Sequence, residues 1–96
     1  KVLEDVQEVV RQLERMLQYS LPAAEKVGLY VHLACLIERL ITKNEVQLLE
    51  SPDEFIANHK EFIEIVKESF SVVNERYSVE IPVAEIIYIY NYIQNS

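Results

Sequence analysis

Apolar residues recur at three- and four-residue steps through residues 2–19, at Val2, Val6, Val9, Leu13 and Met16, flanked by Leu3, Val10 and Leu17. On a helix of 3.6 residues per turn that spacing makes one apolar stripe, and Glu4, Asp5 and Glu8 fall near the N-terminal end, where the helix dipole favours acids. Ser20, Leu21 and Pro22 interrupt the pattern. A second helix is predicted from Pro22 to Lys43, with the proline at a tolerated early position and Glu25 in the first turn. Its middle, Val27 to Ile41, is so apolar that most of its circumference is expected to be covered, which makes it the central element of the core. Ser51, Pro52, Asp53 and Glu54 read as a helix start: a serine cap, a proline at the first helical position, then two acids. The stripe that follows runs through Phe55, Ile56, Phe62, Ile63, Val66, Phe70, Val73 and Tyr77. It is expected to break near Asn58 and His59 into a short helix and a long one.

Residues 87–93 alternate in type and pass for a strand on propensity. Pro82 followed by Val83, Ile86, Ile87, Tyr90 and Ile93 also fits a helical stripe, with Glu85 in the first turn. A solitary strand in a helical chain leaves its backbone groups unsatisfied, so the helix is preferred. The expected fold class is all-α, a single bundle of five helices around one core.

The 96 residues suit one domain, 1–96. Half of them are hydrophobic and 26% charged, a globular balance. Sixteen acids against nine bases give a net charge of −7, which would repel a phosphate backbone; direct nucleic-acid binding by this domain is not expected. One cysteine forms no internal disulfide and suits a reducing cytoplasm. No apolar stretch approaches the ~20 residues that span a bilayer, so no membrane partner is expected. The chain starts at Lys1 without an initiator methionine, which reads as a fragment of a larger protein.

Candidate chemistry concentrates on the second helix. Glu25, Gly28, His32, Cys35 and Arg39 follow at three- and four-residue steps and share a face. Gly28 removes the side chain one turn before His32, and Arg39 reaches back over the turn that follows it. A neutral imidazole is a competent nucleophile near pH 7, and a guanidinium suits a phosphoryl group placed on it. The plain alternative is a core-edge histidine beside a surface arginine. Cys35 reads as a small buried apolar residue and His59 as a solvated one. Neither histidine has the spacing of a di-iron or zinc site, and no metal or cofactor is expected. Tyr88 and Tyr92, one turn apart, read as an exposed aromatic pair suited to a helix or dimer contact. Glu4 and Glu8 with Arg11 and Arg15 read as solvated pairs of little energetic weight.

The segment from Gly28 to Leu40, with His32, Glu38 and Arg39, resembles the first histidine motif of the phosphotransferase-system (PTS) regulation domain. Ile81 to Ile89, with Pro82 and Glu85, resembles that domain's later motif. The order and separation match, and the resemblance covers nearly the whole chain. It implies a dimerising five-helix domain of a bacterial transcriptional regulator, not an enzyme. Its histidines accept phosphoryl groups from the histidine phosphocarrier protein or a sugar permease's IIB component, and phosphorylation shifts the dimer between active and inactive arrangements. His32 falls on the first acceptor position, Arg39 on that motif's basic residue, and Glu85 on the acid of the second motif. The second acceptor position falls on Tyr92, whose phenol is no equivalent of an imidazole. That departure looks like the C-terminal copy in the levanase-operon type of activator, with one site instead of two.

Overall fold

The computed structural model describes residues 2–43 and 51–95. Among the described residues six α-helices follow in chain order: α1 (Val2–Leu17), α2 (Ala23–Thr42), α3 (Asp53–Asn58), α4 (Lys60–Ser69), α5 (Ser71–Tyr77) and α6 (Val83–Gln94). The all-α class holds, and the ambiguous last segment is a helix. The count of five does not hold, because the long stripe breaks twice. At His59 the backbone leaves the helix at φ −136° and ψ 42°; at Phe70 it does so at φ −90° and ψ 7°. The second break costs little hydrogen bonding: the Phe70 N–H still donates to Val66 O at 3.0 Å, and Phe70 O accepts from Asn74 N at 2.8 Å. Val66, Phe70 and Val73 are all buried, so the stripe keeps facing the core across the break.

The first two helix ends shift slightly. α1 stops at Leu17, where Gln18 takes a left-handed conformation (φ 54°), and Lys43 does the same after α2 (φ 63°). Such residues terminate helices because their N–H turns back onto the last carbonyls. Pro22 precedes α2 and does not lie within it. α3 likewise starts one residue later than predicted, at Asp53, whose N–H donates to Ser51 Oγ at 3.3 Å.

The core is built from Val6, Val9, Val10 and Leu13 of α1, Leu29, Leu33, Leu36, Ile37 and Leu40 of α2, Ile63 and Val66 of α4, and Ile86 and Ile89 of α6. α2 is central and most of its circumference is covered, but one stripe is left out. Val27 and Val31 are 59% and 61% exposed, and Cys35, one turn further along, is exposed as well. This corrects the expectation of a buried thiol: Cys35 continues the stripe that leaves the bundle instead of the one that enters it. Among the described residues no helix is long and apolar enough to cross a membrane.

Candidate functional site

α2 and α6 meet along a polar seam with three rungs: Gly28 with Tyr92, His32 with Tyr88, and Arg39 with Glu85. Positions rise along α2 as they fall along α6, so the helices are antiparallel here. At the first rung a Cβ on Gly28 would come within 2.2 Å of the Tyr92 hydroxyl oxygen. The glycine therefore makes room for the phenol, whose O–H donates to Glu25 O at 2.7 Å. Gly28 does not uncover His32; Tyr92 fills the space it leaves.

Glu85 anchors the third rung. It is 2% exposed and accepts from Arg39 Nη2 at 2.8 Å and 2.9 Å on its two oxygens, with Nε at 3.3 Å. A buried carboxylate requires such a partner, since an unpaired charge in the interior costs several kcal/mol, roughly. Pro82 precedes the helix and Glu85 sits in its first turn, where the dipole adds to the stabilisation.

His32 lies between these rungs. Its side chain is 13% exposed, neither sealed nor open, and Nε2 stands 3.9 Å from Glu85 Oε1, too far for a hydrogen bond. Nε2 is buried and has no hydrogen-bond partner among the described residues. Burial pushes the imidazole pKa below its ordinary value; the Glu85 charge opposes this and the Arg39 charge adds to it. The shift favours the neutral ring, whose unprotonated nitrogen carries a lone pair. Tyr88 covers one face, with ring centroids 3.8 Å apart and planes 12° from parallel.

The seam brings His32 and Arg39 to Glu85, with Gly28 further along α2 against Tyr92. Arg39 is held by Glu85 and not by anything on His32. A family model described as PRD domain matches residues 6–96. The chain belongs to the PRD family. It is a PTS-regulation domain, a regulatory family and not a catalytic one. No curated protein and no solved structure matches it.

Several residues of this PRD sit elsewhere than expected. Tyr88 and Tyr92 do not form a mutual exposed pair; each packs on α2, and only Tyr88 is exposed, at 50%. His59 is not solvated but half-buried among rings, 4.3 Å from Tyr90 and 4.5 Å from Phe55 between centroids. On α1, Arg11 pairs with Glu8 as expected, whereas Arg15 bonds Gln12 instead of an acid. Asp5 lies in the first turn of α1 as expected, and is in addition buried and accepts from the Tyr77 hydroxyl at 2.6 Å. No spacing rule signals a partner 72 positions away. Among the described residues no group of three or more His, Cys, Asp or Glu side chains is placed to hold a metal ion.

Proposed function

We propose that this PRD is the regulatory phosphoacceptor domain of a bacterial, cytoplasmic transcriptional regulator, with His32 as the acceptor. The supporting observation is the Nε2 atom: buried, without a partner, and beside a buried carboxylate that grips a guanidinium. The donor is a phosphohistidine on the histidine phosphocarrier protein or a permease IIB component. The donor's N–P bond breaks, a new N–P bond forms at the unprotonated ring nitrogen of His32, and the proton of the other nitrogen passes to the donor imidazole. Donor and product bonds are matched in energy, so the domain supplies position more than catalysis.

The switch follows from charge. A phosphoryl group adds up to about two negative charges, here next to Glu85, and Arg39 is the cation that both anions then compete for. Moving the guanidinium from Glu85 to the phosphoryl group loosens the α2–α6 seam. Val27, Val31 and Cys35 present an apolar stripe beside that seam, suited to a second copy of the chain, so the charge biases a homodimer between two arrangements. Tyr92 in place of a second acceptor makes this a one-site copy, of the kind that ends levanase-operon-type activators.

The test is reconstitution with phosphoenolpyruvate, enzyme I, the phosphocarrier and a cognate IIB protein. The expected product carries an acid-labile, alkali-stable phosphate that His32→Ala abolishes. Retention of the label by His32→Ala would rule the site out. The 13% exposure of the ring favours one rival, a constitutive dimerisation module without phosphorylation. It predicts no label, and an oligomeric state unchanged by His32→Asp.

A further inference from the structure

Tyr88 lies ring on ring with His32 and is itself 50% exposed. It also lines a groove of about 410 Å³ with Glu25, Asn91, Tyr92 and Asn95, open space beside the phenol ring. Tyr92, one turn along α6, has no such freedom: its hydroxyl is bonded to Glu25 O and its ring is seated over Gly28. The Nε2 atom of His32 points inward, buried and unpartnered. A donor reaches that atom only when the imidazole turns outward about its side-chain torsions, and turning a stacked ring breaks the stack.

We infer that Tyr88 is a movable cover and the positioning residue of His32. Stacked, it holds the imidazole turned in beside Glu85; swung into the groove, it releases the ring toward a phosphoryl donor. The inference rests on His32 being the acceptor and adds what governs access to it. The low proton affinity of the ring fits the same arrangement, because burial is its main cause and Tyr88 supplies one wall of that burial.

The experiment uses phosphoramidate, a small donor that needs no protein partner. The imidazole nitrogen forms the N–P bond, the P–N bond of phosphoramidate breaks, and the proton of the other ring nitrogen leaves with the amine as ammonium. The reaction is followed at each histidine by NMR in the wild type, Tyr88→Ala and Tyr88→Phe. Tyr88→Ala is expected to speed modification of His32 about three- to tenfold, the equilibrium weight of one aromatic stack. Tyr88→Phe, which keeps the ring, is expected to match the wild type. The His32 ring protons should be shifted upfield by the neighbouring ring in the wild type and Tyr88→Phe. In Tyr88→Ala that shift should vanish and the imidazole should titrate at higher pH.

Equal or slower modification in Tyr88→Ala overturns the inference. If that variant does not fold, the wild-type spectrum decides, and His32 protons at unshifted positions overturn it equally. Tyr88-dependent reaction with phosphoramidate alongside no labelling by the phosphocarrier system would sink the phosphoacceptor reading while leaving the cover in place.

Discussion

Asp5 on α1 and Glu85 on α6 are 3% and 2% exposed, and each is met by an arginine that reaches in from the surface and by one aromatic side chain. Around Asp5 the aromatic partner is the Tyr77 hydroxyl, a donor at 2.6 Å, with Arg76 Nε at 3.6 Å. Around Glu85 it is an imidazole whose nearest nitrogen stays 3.9 Å away and makes no hydrogen bond. The first cluster is satisfied and ties α1 to α5. The second leaves a buried ring nitrogen without a hydrogen bond among the described residues. Burial of a carboxylate marks a tie between helices in both; the unsatisfied neighbour is what sets the Glu85 cluster apart.

The sharpest way to break that comparison is to delete each carboxylate. Asp5→Ala and Glu85→Ala should each destabilise the fold by about 2 kcal/mol in urea unfolding, because each strands buried partners while its arginine rehydrates. They should part company at His32. Glu85→Ala withdraws the charge that favours the protonated ring, so His32 titrates at still lower pH; Asp5→Ala leaves that titration alone. Equal effects on His32 would erase the distinction. Tyr77→Phe, which removes one charge-assisted hydrogen bond and no carboxylate, should cost about 1 kcal/mol and also leave His32 untouched.

The apolar stripes placed α1, α2 and α6 within a residue or two, because a helix that buries one face must repeat its apolar residues at the helical period. The constellation on α2 was legible for the same reason: His32 and Arg39 share a face by spacing alone. What α6 brings to them was not. That Tyr88 covers His32, that Tyr92 fills the space beside Gly28, and that Arg39 is claimed by Glu85 depend on how two distant helices dock. The break at Phe70 is hidden because Val66, Phe70 and Val73 keep the apolar spacing of one helix across it. The exposure of Cys35 is not legible because small apolar residues tolerate either face, and the burial of His59 is not because a polar flank, Asn58 and Lys60, says nothing of Tyr90.

A smaller effect should come from His32 itself. Its folded pKa lies below the ordinary value of 6.5, so the unfolded chain binds the proton more readily. The stability this contributes is complete above pH 6.5 and is lost as the pH falls from there toward the folded pKa. His32→Phe should flatten the slope of unfolding free energy against pH in that window, while leaving the steeper loss at lower pH that belongs to the carboxylates. An unchanged slope would mean that the ring is as well solvated folded as unfolded, and the contrast with Asp5 would reduce to geometry.

The smallest effect concerns the rung that neither carboxylate touches. Gly28→Ala gains about 1 kcal/mol of helix propensity but pushes the Tyr92 hydroxyl off Glu25 O, a loss of similar size. The two nearly cancel, and the single substitution should shift stability by less than about 1 kcal/mol. In a Tyr92→Phe background the bond is already gone and the atom that would sit 2.2 Å from the new Cβ is absent. There Gly28→Ala should be stabilising, and a double-mutant cycle should give a coupling of about 1 kcal/mol. A loss of several kcal/mol in both backgrounds would show that the phenol ring, not its hydroxyl, sets the approach of α2 to α6. Tyr92 would then be a fixed spacer along which His32 and Tyr88 must also be held, leaving less freedom at the middle rung than its exposure suggests.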